Sequence, residues 1–532
     1  MTVAASDTSL PALERLGRRP WVFLAGVGAW LACLAWLRPL MLPDEGRYAG
    51  VAWEMLRSGS HAVPRLDGMP YFHKPPLFYW LAELAYRAAG AHPWTARLPS
   101  WLGAWLCCIG FYAFLRRRQG AVAAAASVLV LATMPLFYGA AQFANLDMLV
   151  AGLIACCVLA GAETVLRAGE GRPARRMALL AAACAALAVL AKGLIGLVLP
   201  GAALLAWMTA LRDWRGLRAL LWPPAVALFL ALAVPWFWLV QSRYPGFADY
   251  FFMTQQFRRY AETGYNNAQP FWFYLPVLAG GSVPWFLWAG AGLRRACRDA
   301  EDGRALRALM LSWLGVVLVF FSLPASKLVG YVLPALPPLA WLLAQGVRHA
   351  CKGASARPRR RAHATVAAAA ALCAALVVAA AAVEQPDARA AGAVLRERMA
   401  PGDTLVSFGT YPFDMPLYAR LASSIWVVDD WHDPGIDRHD NWRKELRDAA
   451  AFDPGQGARV LLSAAQLRGR ACSAPEGTRY WIWGDPGHAA GLGLLDGAEP
   501  VLRDGSRALW LFVPGADFRR RSCGETPTTG SQ

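Results

Sequence analysis

Long apolar segments recur through the first 383 residues and alternate with short polar stretches. Most are close to the roughly 20 residues that an α-helix needs to cross about 30 Å of hydrocarbon. This pattern predicts an α-helical polytopic membrane protein with about eleven transmembrane helices. The predicted spans are residues 20–40, 95–115, 120–138, 147–166, 177–191, 194–211, 220–240, 271–291, 305–323, 328–346 and 363–383.

Arginine clusters between the spans predict the orientation of the chain. With the N-terminus in the cytoplasm and eleven spans, every cluster falls on the cytoplasmic side, as the positive-inside rule requires. The C-terminal tail then lies in the periplasm, as in a multi-pass protein of a bacterial inner membrane. The clusters comprise Arg15 to Arg19, Arg116–Arg118, Arg167–Arg176, Arg212–Arg218, Arg294–Arg307 and Arg348–Arg361.

Composition supports the membrane class and argues against a nucleic-acid partner. The chain is 57% hydrophobic and only 17% charged, with a formal net charge of +17. A nucleic-acid site would gather its positive charge in one patch or stripe, whereas here the charge is spread over short loops. The residues before Pro20 are too polar for a removable signal peptide, and the first span is too long.

The last part of the chain has a different pattern and predicts a second domain. We divide the chain into a transmembrane catalytic domain, residues 1–383, with external loops at 41–94 and 241–270, and a C-terminal α/β domain, residues 384–532. Four short apolar stretches in that domain predict strands, at 404–408, 424–428, 459–462 and 508–513. Cys472 and Cys523 are its two cysteines, and an oxidising periplasm favours a disulfide between them.

The first external loop carries the most informative polar residues. Pro43 ends the first span, Asp44 can cap a new helix, and apolar residues at helical spacing continue to Gly59. We predict an amphipathic helix on the membrane, with the Asp44 carboxylate directed toward the membrane-embedded body. A second helix is predicted to start at Pro75, which places Lys74 at its N-terminus, where a phosphate is favoured.

Each of these residues also has a purely structural interpretation. Asp44 is a preferred helix cap, and Arg47 is equally explained as a solvated side chain. His73 is better explained as an interfacial polar group than as a metal ligand, because no second His lies nearby. The grouping of Asp44, Glu45, Arg47 and Lys74 around one short loop favours a functional interpretation.

Further polar residues lie at the predicted outer ends of the spans. A charge at the bilayer centre costs about 2.5–3.5 kcal/mol on insertion scales, so such residues either lie at the interface or have partners. For Lys192, a turn lysine that reaches the interface and a phosphate ligand remain equal alternatives. The residues concerned are Asp147, Lys192, Arg259, Lys327 and Tyr331.

Taken in order, these motifs resemble the bacterial lipid-A aminoarabinose transferases, relatives of the protein O-mannosyltransferases in the GT-C class of glycosyltransferases. The likeness covers about residues 18–346. The segments that carry it are Asp-Glu-Gly-Arg-Tyr (44–48), Tyr-Phe-His-Lys-Pro-Pro-Leu-Phe-Tyr-Trp (71–80), Asn-Leu-Asp (145–147), Lys-Gly (192–193) and Ser-Lys-Leu-Val-Gly-Tyr-Val-Leu-Pro-Ala-Leu-Pro-Pro (326–338).

The resemblance implies an enzyme that takes a sugar from undecaprenyl phosphate on the periplasmic side. It implies that Asp44 is the acid of the catalytic loop, with Glu45 beside it, and that Arg47 and Lys74 hold the lipid phosphate. Asp147, Lys192, Arg259 and Tyr331 are then expected to line the same cavity, with Lys327 as a further substrate contact. The expected acceptor is lipid A, another glycolipid or a protein.

The chain departs from the family at the positions associated with a metal. Those transferases commonly have Glu before Lys-Pro-Pro and a Glu-His pair in the second external loop, where this chain has His73 and Gln255-Gln256. Glutamine amides are poor zinc ligands. We therefore predict no tightly bound cofactor or metal, and a sugar that need not be aminoarabinose.

Two other classes of function remain as alternatives. A flippase or binding protein for lipid-linked sugars would place ionisable groups near mid-membrane, often on internally repeated helices, and no repeat is evident here. A structural anchor for the external domain would leave Asp44 and Lys74 unexplained. An enzyme acting on hydroxyl acceptors, like a protein O-mannosyltransferase, stays open because the sequence does not identify the acceptor.

Overall fold

The computed structural model describes residues 19–258, 267–291, 303–351, 356–383, 386–438, 440–490, 494–495 and 498–523. The chain forms two compact units. The first contains the described parts of residues 1–38, 73–82 and 97–383, and the second those of 39–72, 83–96 and 384–532. The long external loop therefore contributes to the same unit as the C-terminal segment, so these units do not follow the division at residue 383.

Within the described residues up to 383, the secondary structure is mainly helical. A π-helical segment, Asp249–Arg258, and two 3₁₀ segments, Trp285–Trp288 and Val329–Ala335, connect the α-helices. The α-helices are α1 (Pro20–Ala32), α2 (Asp44–Ser58), α3 (Leu77–Ala89), α4 (Pro93–Ala96), α5 (Leu98–Gln119), α6 (Ala121–Ala132), α7 (Pro135–Ala141), α8 (Leu146–Gly169), α9 (Arg175–Lys192), α10 (Ile195–Leu211), α11 (Leu217–Leu220), α12 (Pro223–Arg243), α13 (Tyr274–Gly281), α14 (Arg304–Ser322), α15 (Leu336–Cys351) and α16 (Ala356–Ala382).

Several of these helices are long and apolar enough to cross a membrane. Within the described residues, α5, α8, α12, α14 and α16 meet this criterion singly, and α6 with α7 forms a further apolar pair bent by 72°. Shorter apolar helices such as α1 and α10 lie in other predicted spans. The polytopic helical class is confirmed, whereas the number of eleven spans stays a prediction.

Small residues allow the central helices of the first unit to approach closely. A Cβ on Gly152 of α8 would lie 2.0 Å from the carbonyl oxygen of Gly103 in α5, so a side chain at this position would collide with backbone. Membrane helices have little hydrophobic driving force to associate in lipid, and such contacts let dispersion forces act between backbones. The packing of α5 against α8 fixes the position of α8, whose first turn contains Asp147.

The second unit combines a short hairpin with a six-stranded mixed sheet. The hairpin pairs β1 with β2 antiparallel, and the sheet has the order β5-β4-β3-β6-β8-β7, in which β3 to β6 are parallel. The strands are β1 (Arg65–Leu66), β2 (Met69–Pro70), β3 (Thr404–Phe408), β4 (Trp426–Val428), β5 (Leu461–Leu462), β6 (Tyr480–Gly484), β7 (Leu502–Asp504) and β8 (Arg507–Phe512). Helices after residue 386 are α17 (Arg389–Arg398), α18 (Met415–Tyr418), α19 (Trp442–Phe452), α20 (Pro454–Val460), α21 (Ala464–Cys472), α22 (Pro486–Ala490) and α23 (Ala516–Ser522), with a 3₁₀ turn at Pro434–Arg438.

The predicted α/β character of the tail is confirmed. Strand β3 has the predicted bounds, and β4 and β8 lie within a residue or two of theirs. Of the predicted 459–462 strand, the first two residues end a helix and the last two form β5. The sheet packs an apolar core on one face that includes Val406, Ile482 and Trp510. The predicted disulfide is also present, since Cys472 at the end of α21 is bonded to Cys523, with their Cα atoms 5.7 Å apart.

The first loop and the C-terminal segment pack together within the second unit. Helix α2 ends where predicted, because Gly59 adopts the left-handed conformation, with φ +66°. A Cβ on Gly50 of α2 would lie 2.5 Å from the carbonyl oxygen of Phe413, so this face of α2 touches backbone of the C-terminal segment. The Trp53 indole N–H adds a hydrogen bond to the Leu421 carbonyl, at 3.2 Å. Helix α3 begins at Leu77, two residues later than predicted.

Candidate active site

The two acidic residues at the start of α2 lie in different environments. Both fall in the first helical turn, where the helix dipole favours a negative charge. Glu45 is completely buried, and its carboxylate accepts the backbone N–H of Met41 at 2.9 Å. The Asp44 side chain is 45% exposed. Glu45 therefore closes the turn before α2, and Asp44 is the carboxylate that a substrate can reach.

Arg47 has an anionic partner that the sequence did not suggest. Its Nε lies 3.1 Å from a carboxylate oxygen of Glu445 in α19, and one terminal nitrogen lies 3.6 Å from Asp44. The Nε hydrogen is not aligned with the oxygen, so the Glu445 contact is an ion pair rather than a hydrogen bond. The guanidinium also lies 5.2 Å from the centre of the Phe413 ring. Burial by itself would lower the pKa of Arg47, but the neighbouring acidic groups, chiefly Glu445 and then Tyr71 and Asp44, outweigh it, so the pKa is raised and the side chain stays charged.

A second pair of carboxylates ties the β1–β2 hairpin to the rest of the second unit. Glu54 accepts the backbone N–H groups of Asp67 and Gly68, at 2.7 and 2.9 Å, and Asp67 accepts that of Ile425 at 2.7 Å. Burial raises the pKa of Glu54, and burial together with the nearby Glu54 raises that of Asp67. These hydrogen bonds hold the β1–β2 hairpin in its conformation.

The first unit contains a cavity of about 330 Å³ with two lysines in its wall. Lys74, just before α3, and Lys192, at the end of α9, supply the positive charge, while the remaining lining is largely apolar or carries neutral amides. The other lining residues are Leu194, Ile195, Val198, Gln255, Gln256, Phe257, Phe320, Phe321, Pro324, Ser326 and Tyr331. Such a cavity suits an amphiphile that has an anionic group beside an apolar chain.

Asp147 fixes the position of Lys192 in this wall. The Asn145 side chain caps α8 by accepting the backbone N–H of Asp147 at 2.9 Å, and the Asp147 carboxylate forms an ion pair with the Lys192 ammonium. The same ammonium lies 4.3 Å from the centre of the Tyr331 ring. Three of the residues singled out from the sequence therefore form one contact group, although they come from α8, α9 and the 3₁₀ segment before α15.

Residues at the family's metal positions are engaged in other contacts. His73 is 8% exposed, and its ring centre lies 6.0 Å from that of Tyr250. Gln255 donates to the Tyr250 hydroxyl at 3.0 Å, and Gln256 donates to the Lys192 carbonyl at 3.3 Å. Across the described ranges, no three His, Cys, Asp or Glu side chains converge as metal ligands. The absence of bound zinc stays a prediction.

Two further predicted substrate contacts differ in their outcome. Lys327 is 3% exposed and its ammonium donates to the backbone carbonyls of Gln269 and Pro324, so its charge is satisfied within the fold, and it does not line the cavity. Its role in binding substrate stays a prediction. Arg259 lies outside the described residues.

Glu445 is the residue that the sequence analysis missed. In α19, Glu445 and Ala449 are one helical turn apart and both are buried, together with Leu446. A carboxylate on the apolar face of an amphipathic helix requires a partner, and this signal was available in the sequence. The identity of the partner was not, because Arg47 lies almost four hundred residues earlier.

Parts of the chain are similar to proteins of known description. Residues 73–239 match the family of dolichyl-phosphate-mannose-protein mannosyltransferases. The undecaprenyl phosphate-alpha-4-amino-4-deoxy-L-arabinose arabinosyl transferase of Enterobacter sp. (strain 638) is 34% identical over 320 residues, which are 59% of this chain and 56% of that protein. A Sodalis glossinidius protein of the same description is 35% identical over 339 residues, which are 60% and 59% of the two chains. The chain thus matches a little more than half the length of these curated relatives.

The structural match extends over almost the whole chain. The crystal structure of ArnT from Cupriavidus metallidurans bound to undecaprenyl phosphate superimposes with a TM-score of 0.76 and 24% identity, over 94% of this chain and 99% of that one. This chain therefore has the fold of that GT-C protein. A more distant likeness, with a TM-score of 0.52 and 12% identity, links this GT-C fold to the archaeal oligosaccharyltransferase AglB from Archaeoglobus fulgidus, over 88% of this chain and 70% of AglB.

Proposed function

We propose that this protein is an integral membrane glycosyltransferase that moves a sugar from undecaprenyl phosphate to lipid A or another envelope glycolipid. The observation that carries the proposal is the cavity of the first unit, in which Lys74 and Lys192 face an otherwise largely apolar lining. Undecaprenyl phosphate combines an anionic group with a long apolar chain, which is the combination that this lining can bind. The relatives named for this reaction support the choice of donor.

The chemistry divides between the cations and the exposed carboxylate. Attack on the anomeric carbon releases a lipid phosphate, so negative charge develops on the leaving oxygen and fixed ammonium groups stabilise it. Lys74 and Lys192 take this role, while Asp147 keeps Lys192 in place. Asp44 acts as the base for a hydroxyl acceptor, or orients the sugar and stabilises its positive charge when the acceptor is a phosphate.

The proposed location is the bacterial inner membrane, with the active site and the C-terminal domain in the periplasm. The arginine clusters support this orientation, because all of them fall on one side in the eleven-span arrangement. The donor lipid and a lipid A acceptor are both membrane components.

Reconstituted protein with a defined donor tests the proposal. We expect vesicles that contain the protein, an undecaprenyl-phosphate-linked sugar and lipid A to yield modified lipid A, detected by mass spectrometry. Lys74→Ala should raise the donor concentration at half-maximal rate by about tenfold or more, because it removes one charged phosphate contact. Arg172→Ala, which removes an exposed arginine on the predicted cytoplasmic side, is the control and should leave the rate unchanged.

The same assay, run with lipid A or with a protein as the acceptor, distinguishes the alternative functions. Modification of a hydroxyl-bearing protein in place of lipid A would indicate the O-mannosyltransferase-like activity. Lipid binding without any transfer, to either acceptor, would indicate a binding protein or flippase and contradict the proposal.

A further inference from the structure

Arg47, at the start of the first external loop, has its charge balanced by a residue of the C-terminal α/β segment. Its Nε lies 3.1 Å from Glu445, and both side chains are largely buried, with 19% and 11% of their surface exposed. The guanidinium is also within 5.2 Å of the Phe413 ring centre. Two partners of Arg47 therefore come from residues that follow the transmembrane domain by sequence.

Glu445 is itself held in place. The Tyr71 hydroxyl donates to the same Glu445 oxygen at 3.1 Å, and α19 fixes the backbone from which the carboxylate extends. A buried carboxylate that already accepts one hydrogen bond has little freedom to move. Arg47 therefore meets a fixed anion.

The ion pair leaves part of the guanidinium available for a second anion. Arginine has five N–H donors in a planar fork, and the contact with Glu445 is made at Nε. One terminal nitrogen lies 3.6 Å from Asp44, which is too long for a hydrogen bond, so the terminal N–H groups can still donate to a second anion. The charge of a fixed carboxylate on this side of the guanidinium favours one placement of the fork, and hence one direction of its terminal N–H groups. Bidentate binding of a phosphate depends on that direction.

We propose that Glu445 is a positioning residue for Arg47, so that the C-terminal α/β segment directly determines how the first loop binds the lipid phosphate. This inference rests on the proposed function and on the expectation, drawn from the sequence resemblance, that Arg47 binds the donor phosphate. The C-terminal segment then takes part in binding the donor.

A double-mutant cycle tests the proposal with Glu445→Gln, Arg47→Ala and the combined variant. Glutamine keeps the volume of the side chain and an acceptor for Tyr71 but removes the charge. We expect Glu445→Gln to weaken undecaprenyl phosphate binding and to raise the donor KM by about tenfold, with a smaller change in kcat. In the Arg47→Ala background the same substitution should change both quantities less than about twofold, since coupled residues are non-additive.

Several outcomes would overturn the inference. Equal losses in the two backgrounds would mean that Glu445 acts independently of Arg47, and an unchanged or tighter lipid affinity in Glu445→Gln would mean that it does not orient Arg47 for phosphate. Glu476→Gln, an exposed change in the same segment, should leave lipid binding and transfer unaffected. Unfolding temperatures of all the variants identify any that have lost their fold, and Glu445→Asp then serves as a milder replacement, expected to have an intermediate effect.

The lipid-binding arm separates this inference from the proposed reaction. If the wild-type protein transfers no sugar yet shows the coupled loss of lipid binding, the proposed reaction is wrong and the positioning role stands. If the wild type transfers sugar while the two substitutions are additive, the reaction stands and the positioning role is wrong. A wild type that does not bind the lipid overturns both.

Discussion

Asp44 and Glu45 are adjacent in the sequence, and the fold places them in different environments. The sequence motifs predict both as catalytic, and that role stays a prediction; Glu45 is completely buried and accepts a hydrogen bond from the Met41 N–H. Asp44 keeps an exposed carboxylate in the first turn of α2. Of the two, Asp44 is the one that we propose acts on the substrate.

Asp44→Asn is expected to reduce sugar transfer by at least about 100-fold, because an amide can neither accept a proton nor stabilise positive charge on the sugar. The side chain is exposed, so membrane insertion and thermal stability should stay within error of the wild type. Initial rates of lipid A modification by the purified variant measure the effect. Near-normal transfer would leave Asp44 with only a local structural role.

Asp414 predicts a pH dependence of stability. It is fully buried, its carboxylate accepts the Ala388 N–H at 2.9 Å, and burial raises its pKa to about 6. In the unfolded chain it titrates near 3.9, so between these values the folded state binds more protons and stability falls as the pH rises. Above pH 6 the buried charge costs roughly 3 kcal/mol.

Asp414→Asn should remove this cost while keeping an acceptor for Ala388. At pH 7.5 we expect the free energy of unfolding of the variant to exceed that of the wild type by roughly 1–3 kcal/mol, so that the variant unfolds at a higher temperature. At pH 4 the two proteins should unfold at similar temperatures. Thermal unfolding across this pH range measures the difference. Parallel curves for the two proteins would show that Asp414 ionises in the folded state without penalty.

At the scale of elements, the sequence predicted the strands and helix ends that depend on a few neighbouring residues. The bounds of β3 and the end of α2 at Gly59 follow from apolar stretches and a glycine stop. Strand β6, Tyr-Trp-Ile-Trp-Gly, was not named, although a continuous apolar run is typical of a strand buried on both faces. The first half of the predicted 459–462 strand lies in helix α20, because the Asp453 side chain caps Pro454–Val460, and the second half forms β5.

The disulfide joins the end of α21 to the segment after α23, across 51 residues of chain. Replacing both cysteines, Cys472→Ala and Cys523→Ala, should destabilise the α/β segment by about 2–4 kcal/mol, mainly because the unfolded chain gains freedom. Thermal unfolding of the variant and of reduced wild type should agree. Mass spectrometry of non-reduced peptides provides the control, and two free thiols in the wild type would contradict the bond.

At the scale of the whole molecule, the candidate site could be predicted residue by residue but not as a set of contacts. Lys74, Lys192 and Tyr331 were each expected at a substrate cavity, and the structure brings them together in one lining. The pairing of Arg47 with Glu445 could not be predicted, since no local pattern connects residues almost four hundred positions apart. Long-range pairing depends on the tertiary fold.

The orientation of the chain is open to direct test. Reporter proteins fused after Arg118, Arg176 or Arg361 should be active as cytoplasmic fusions, and those fused after Gly59 or Arg420 as periplasmic ones, because positive loops stay in the cytoplasm. A cytoplasmic signal after Arg420 would contradict the eleven-span arrangement. Equal expression of all fusions is the control.

Metal content provides a further test at this scale. With His73 and Gln255-Gln256 at the positions discussed above, the purified protein should contain less than stoichiometric zinc, and transfer should survive chelator treatment. Elemental analysis and rates measured before and after chelation check both points. Stoichiometric zinc whose removal abolishes transfer would return His73 to the list of ligands.

The second unit is built from two distant parts of the chain, which are synthesised at different times. Its first part, residues 39–72, leaves the ribosome more than three hundred residues before the segment that begins at residue 384. At about 5–20 residues per second, this interval is roughly 15–60 s. During that time Asp67 lacks Ile425, Arg47 lacks Glu445, and the glycine face of α2 lacks Phe413. A pause in translation anywhere between these segments would prolong the period in which the newly made loop is open to proteases and chaperones.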